Sequence, residues 1–280
     1  MASDPETKGI HKYVARYLRG LGRMDGLRVV DVPAGAGRTC KILHEAGAEV
    51  VALDLFPEML QVDGLEGTFA DLSEPLPVED GWADLVICQE GIEHLSDQLS
   101  ALEEFNRILK PGGRLLITTP NLSNLRSRVS WFLMESDMWR RMPPSEVDSI
   151  WFSEGASDRL YFGHLFLLGV HRLQSLLRIA GFRSEERLRT KTSITSVWMT
   201  VVAWPVLWLT TTLAQLRYPR KNRHISPELV TPVFQEHRDL NLSFTTNACK
   251  SIFWVQRKAM EVPEARARLK DLTRSGQGEH

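Results

Sequence analysis

What this sequence lacks narrows its function early. Its 280 residues carry 34 Lys and Arg against 35 Asp and Glu, a formal net charge of −1. The basic surplus with which proteins neutralise phosphate backbones is missing, so nucleic acid is not an expected partner. There are only three cysteines, Cys40, Cys88 and Cys249, with no CxxC pair among them. That argues against a disulfide framework and a cysteine-held zinc ion, and no metal centre is expected. Met1 to Glu6 shows no basic stretch leading into an apolar run, and Ile10 to Leu21 has the pattern of an amphipathic helix rich in Lys and Arg. The expected location is therefore cytoplasmic. No internal repeat or low-complexity tract is present.

What is present is an alternation of two periodicities. Leu27 to Val32 is a short apolar run, followed by Pro33-Ala34-Gly35-Ala36-Gly37 and then a helical pattern through Cys40, Ile42, Leu43 and Ala46 to Gly47. This reads as strand, glycine turn, helix. Further strands are expected at Glu49–Leu53, Gly67–Asp71, Asp84–Gln89 and Arg114–Thr118, with a short helix starting at Glu58–Gln61 and a longer one over Gln98–Leu109. Strands alternating with helices predict an α/β fold with a parallel sheet covered on both faces. After Pro120 the texture turns irregular, and an acceptor lid or insertion is expected over 121–169. The pattern resumes with a helix over Val170–Ala180, a strand over Phe182–Leu188 and a last strand over Ser251–Gln256. The resulting division is an N-terminal amphipathic helix (1–26), a cofactor-binding core (27–120), the lid, the C-terminal half of the sheet (170–258) and a charged tail (259–280) expected to fray.

A glycine turn between strand and helix lets a nucleotide-like ligand approach the backbone. A dinucleotide site would want a third glycine, but Cys40 falls at that place, and Asp31 at the strand end would repel a pyrophosphate. That carboxylate suits a ligand bearing an ammonium and a sulfonium.

These residues resemble the class I S-adenosylmethionine (SAM)-dependent methyltransferases. Val29 to Gly37 is similar to the family's first motif, whose acid and glycines surround the methionine part of SAM. Pro33 departs from it, standing where a glycine is usual and removing an amide donor. Asp54 matches the acid that binds both ribose hydroxyls, and Ala70-Asp71-Leu72 matches the loop that faces the adenine. Ala83 to Leu95 resembles the fourth-strand motif, and Asn106 to Gly113 the turn before the fifth strand. The resemblance implies a Rossmann-like seven-strand sheet whose last strand is antiparallel, SAM as cofactor, and a cofactor set of Asp31, Pro33, Ala34, Gly35, Gly37, Asp54, Leu55, Met59, Asp71, Leu72, Gln89, Glu90 and His94. Thr119 to Arg128, and His164-Leu165-Phe166 with the helix after it, look like bacterial methyltransferases of surface-polysaccharide or lipid-carrier pathways.

The expected function is O-methylation of a glycan, lipid-linked or other small polar acceptor. Methylation of a quinone or natural product, and a non-catalytic SAM-fold scaffold, are the alternatives. A nicotinamide-dependent reductase is disfavoured by Asp31 and the missing glycine. An alcohol acceptor needs a general base, for which His94, Glu93 and His164 are the candidates. The cluster Arg126, Arg128, Arg140 and Arg141 is either a solvated face or a site for an anionic substrate or lipid.

Residues 192–216 contain no charged side chain and hold Trp198, Trp204 and Trp208 around Pro205, with Arg187, Arg189 and Lys191 before and Arg217, Arg220, Lys221 and Arg223 after. A single membrane span would strand the last β-strand on the far side. An apolar hairpin broken near Pro205 is expected instead, touching the inner face of the membrane or packed as a lid or homodimer face.

Overall fold

The computed structural model describes residues 9–138, 141–152, 160–221 and 227–274. Arg140 and Arg223 lie outside them. The chain opens with α1 (His11–Gly20), which buries Val14, Ala15 and Leu18. Then follow β1 (Arg28–Asp31), α2 (Arg38–Glu45), β2 (Glu49–Asp54) and β3 (Gly67–Phe69), with a single 3₁₀ turn at Pro57–Met59 where a short helix is expected from sequence. β4 (Ala83–Gln89) and α3 (Gln98–Ile108) come next, α3 being capped by Asp97, whose carboxylate accepts from the Ser100 amide. β5 (Leu109–Pro120) leads into α4 (Leu125–Met134), capped by Asn124, and a small antiparallel ribbon of β6 (Ile150–Phe152) and β7 (Leu160–Phe162). The second half runs α5 (Val170–Ile179), β8 (Phe182–Arg187), α6 (Ile194–Lys221), α7 (Pro227–Leu242), α8 (Phe244–Ala248), β9 (Ser251–Lys258) and α9 (Val262–Arg274).

The seven-stranded sheet has the order β3-β2-β1-β4-β5-β9-β8. All pairings are parallel except those of β9, which runs antiparallel to both neighbours. Side chains alternate across it, as period-two geometry requires. Val30, Val86 and Ile117 face α3 and α5 in one core, while Val29, Ile87 and Leu116 face α1 and α2 in the other. The continuous Val/Ile/Leu runs seen in the sequence are thus strands buried on both sides. Chain order reverses at β1 and β4, so a crevice opens at their carboxyl ends, the place where open α/β sheets bind ligands.

Two expectations are corrected here. The break near Pro205 does not occur: α6 passes straight through it. A proline costs one amide bond and crowds the carbonyl four residues back, which does not end a helix whose other turns keep their bonds. Instead α7 packs back against α6. The charged tail also does not fray over its first half, because α9 buries Ala265 and pairs Arg266 with Glu103 of α3.

α5 ends at a left-handed Gly181 (φ 86°), where an added Cβ would sit 2.4 Å from the Met260 carbonyl oxygen and 2.9 Å from Asn106 Nδ2. The same Asn106 amide donates to the carbonyls of Ala180 and Met260, tying α3, the α5–β8 turn and the end of β9 together. Gly181→Ala is expected to cost about 2–3 kcal/mol through strain and the disturbed amide, read as a lower urea midpoint at unchanged slope.

Candidate functional site

The crevice is a cavity of about 320 Å³, within the range of small-molecule sites. Val32 and Pro33 after β1, Asp54 to Phe56 after β2, Ala70 to Ser73 after β3, and Glu90, Gly91 and His94 to Asp97 after β4 line it. Trp151, Tyr161 and Phe162 of the β6–β7 ribbon close it from above. The ribbon packs down through edge-on contact of Tyr161 with Phe56 at 5.4 Å, and within it Tyr161 lies against its cross-strand partner Trp151 at 5.7 Å.

One end of the cavity is built for a polar, ring-bearing ligand. Asp54 is fixed because its two carboxylate oxygens accept from the amides of Gly35 (2.7 Å) and Phe56 (2.9 Å). Each oxygen keeps a lone pair to accept from a sugar hydroxyl. The Asp71 carboxylate accepts from the Ser73 amide and hydroxyl, while Leu55 and Leu72 supply apolar walls beside it. Asp31, Ala34, Gly35, Gly37 and Gln89 are not among the residues that line this cavity. Asp31 is buried, with one oxygen accepting from the Cys40 thiol and the other unpartnered among the described residues. Burial pushes its carboxyl up to about 7, against the Cys40 hydrogen bond, with the Asp54 charge adding to the rise. An unpaired buried acid is costly unless a cationic group meets it, which fits the ammonium of SAM. Gly37 takes φ 77°, and a Cβ there would come within 2.6 Å of Val62 and Leu60, so the glycine admits the covering loop. Pro33 is accommodated by Gly91, where a Cβ would lie 2.5 Å from its ring. Met59, on the 3₁₀ turn, is 54% exposed and is likewise off the cavity wall.

The other end gathers the candidate catalytic groups. Glu90 holds a left-handed backbone (φ 51°), rare for a residue with a side chain. Its amide donates to the Thr118 carbonyl, and its carboxylate accepts from the Thr118 hydroxyl. Glu93 is fully buried; one oxygen accepts from Thr119 Oγ1 at 2.9 Å and the other is unpartnered among the described residues. Burial raises both carboxyls to about 7, and for Glu90 the nearby Glu93 adds to it. His94 places Nδ1 2.6 Å from the Phe162 carbonyl oxygen. A carbonyl only accepts, so Nδ1 carries the proton and Nε2 is left as a base. Phe166 and Gln98 complete the clamp: the Phe166 amide donates to Glu93 O, and Gln98 Nε2 donates to the carbonyls of Ile92 and Phe166.

His164 stacks obliquely on His94 with ring centroids 5.3 Å apart, and burial lowers its pKa, aided by His94. It lines a second cavity, of about 200 Å³, with Arg126, Asp137, Arg141 and Lys250. Of the predicted arginine cluster, Arg126 and Arg141 meet there, whereas Arg128 is half-buried. Glu93, His94 and His164 each offer one donor atom within 4.8 Å of the others, so this trio could also hold a divalent cation. The sequence gives no sign of it, since His164 arrives from a distant segment. Sequence reasoning also missed Thr118 and Thr119, which read as plain strand residues, and the aromatic ribbon. His11 was missed too; it reaches Gln89 Nε2 with its Nδ1 at 2.5 Å.

A methyltransferase domain family matches residues 30–117. The demethylmenaquinone methyltransferase of Clavibacter sepedonicus is 30% identical over 179 residues, covering 60% of this chain and 70% of that protein. The ubiquinone biosynthesis O-methyltransferase of Xanthomonas oryzae pv. oryzae is 36% identical over 105 residues, covering 34% of this chain. The chain thus spans 44% of the length of that relative. A solved structure from Listeria monocytogenes assigned to the SAM-dependent methyltransferases aligns with TM-score 0.50 at 12% identity, covering 90% of this chain and 99% of that one, a likeness of fold.

The raised Glu93 carboxyl has a consequence for stability. Its folded-state pKa, about 7, exceeds the ordinary 4.5, so the folded state holds the extra proton and stability falls as pH rises from 4.5 through 7. Glu93→Gln, which keeps the shape without the charge, is expected to gain stability over wild type at pH 8 relative to pH 5, measured by urea unfolding at both values.

Proposed function

Because the chain belongs to the class I SAM-dependent methyltransferases, we propose that it methylates a hydroxyl of a small, planar, lipophilic acceptor such as a quinol ring. The observation that carries this reading is the single cavity shared by Asp54, Asp71 and His94 beneath an aromatic ribbon. SAM supplies an electrophilic methyl on a sulfonium. Asp54 and Asp71 would hold its ribose and adenine, and Asp31 its ammonium. The aromatic walls Phe56, Trp151, Tyr161 and Phe162 favour a flat ring over a glycan.

His94 Nε2 is the proposed base. It takes the acceptor proton as the acceptor oxygen bonds to the methyl carbon, and the bonding pair of the departing carbon–sulfur bond stays on sulfur. Glu93 and Glu90 act as positioning residues, whose charge stabilises the imidazolium formed. The relatives named for quinone methylation support this acceptor class. A lipid-linked or phosphorylated acceptor is the second reading, favoured by Arg126, Arg141 and Lys250 in the cavity beyond His164.

Calorimetry should show SAM binding that Asp54→Ala abolishes without unfolding the protein; equal binding by the variant would remove Asp54 from the site. Radiolabel transfer from SAM should then favour demethylated quinols over polyprenyl-phosphate sugars, and the opposite preference would select the second reading. With the preferred acceptor, kcat/KM should climb as pH rises through about 7, where Glu90 and Glu93 lose their protons. His94→Ala should lower kcat by about 10²–10⁴-fold with SAM affinity retained.

A further inference from the structure

The pair α4 and α6 is built inside out for a water-soluble protein. Among the described residues of α6, no apolar side chain is buried; those that are buried are Ser196 and Thr200, with Ser193 just before the helix. Facing them, α4 buries Ser127 and Ser130 besides Leu125. The seam is hydrogen-bonded, Ser196 Oγ donating to Asn124 Oδ1 at 3.2 Å. The contact of α6 with α7 is partly of the same kind, with Asn241 Nδ2 donating to Thr211 Oγ1 and Arg238 to Gln215 Oε1, beside a ring contact of Tyr218 with Phe234. Outward stand Phe132 (86% exposed), Leu133 and Trp131 of α4, and Ile194 (78%), Trp198, Val202 (76%) and Trp204 of α6. Water would select the reverse arrangement. Small polar residues between helices and apolar ones outside are the pattern selected by hydrocarbon, which rewards close packing and interhelical hydrogen bonds but not burial of apolar surface.

We propose that α4 and α6 together form a membrane-docking face that seats the protein on an anionic lipid surface. Lipid, rather than a second copy or a protein, is the occupant that explains the polar seam, and charge agrees. Residues 192–216 carry no charge, whereas exposed basic residues stand at the ends of the face: Arg126 at the start of α4, Lys191 and Lys250 at the start of α6, and Arg217 towards its far end. Cations at those places meet phosphate headgroups while the tryptophans occupy the interfacial layer. The face does not cross the membrane. β8 and β9 are paired in one sheet, Arg187 opposite Trp254, and Thr192 bridges Cys249, so the chain leaves and re-enters on the same side, and α7, which runs back along α6, carries Glu236, Arg238 and Asp239 and makes no return span. The cavity holding His164, Arg126 and Lys250 lies where α4 and α6 begin, at the edge of this face. The docking itself stands apart from the methyl-transfer reading.

The test is flotation of the full chain with phosphatidylcholine vesicles, with and without about 30 mol% phosphatidylglycerol. Wild type should float with the mixed vesicles, less with neutral ones and less as salt rises. Phe132→Asp combined with Val202→Asp should weaken this binding at least roughly tenfold while circular dichroism and SAM affinity stay unchanged. The inference is overturned if wild type remains in the aqueous phase with both vesicles, or if the double variant floats as wild type does. It is equally overturned if wild type ignores vesicles but forms a concentration-dependent dimer that the double variant disperses. SAM affinity, read in the same samples, reports separately on the proposed function.

Discussion

The reversal of strand order between β1 and β4 is the constraint on which the rest of this structure depends. Crossovers from the two strands leave in opposite directions, so no helix covers their carboxyl ends. The buried acids and their partners are delivered there by the ends of strands or the turns after them: Asp31 by β1, Asp54 by β2, Glu90 and Glu93 by the turn after β4, Thr118 and Thr119 by β5. Strands held rigidly in a doubly covered sheet place such side chains more firmly than loops could. That rigidity is what lets Glu90 persist in a left-handed conformation and lets its half-buried carboxyl stay beside the buried one of Glu93.

Those buried acids oppose folding near and above neutrality, since each is easier to ionise in the unfolded chain. The expense is met by the sheet core and by the clamp of Gln98 and Phe166 across the turn that carries them. An acid poised near neutrality beside a histidine of fixed tautomer is the kind of arrangement that proton transfer needs and that stability alone would not select.

The insertion of β9 between β5 and β8 has a second effect. Because the last strand must return to the interior of the sheet, the excursion over 188–250 is anchored at both ends, and α6 and α7 project as a closed unit. The long apolar helix is thereby held at the surface, against α4, α7 and α8.

Sequence determined the alternation of strands and helices, the glycine turn, and the acids at strand ends, because these are local: a period of two or 3.6, a residue that tolerates positive φ, an acid closing an apolar run. The strand-end places of Asp31, Asp54 and Asp71 were legible for that reason, while their assignment to a cofactor, and that of His94, came from the resemblance of the motifs. Tertiary structure decided what distance along the chain conceals. The pairing of β6 with β7 makes the aromatic cover, the meeting of His164 with His94 makes the donor trio, and the Thr118 and Thr119 hydroxyls acquire meaning only opposite Glu90 and Glu93. Likewise Pro205 reads as a break, yet α6 continues through it: the proline costs about 3 kcal/mol, and the bonded turns on either side outweigh it. The helix's uncharged composition was plain from the start. That its buried residues are serine and threonine could emerge only once α4 and α7 were packed against it.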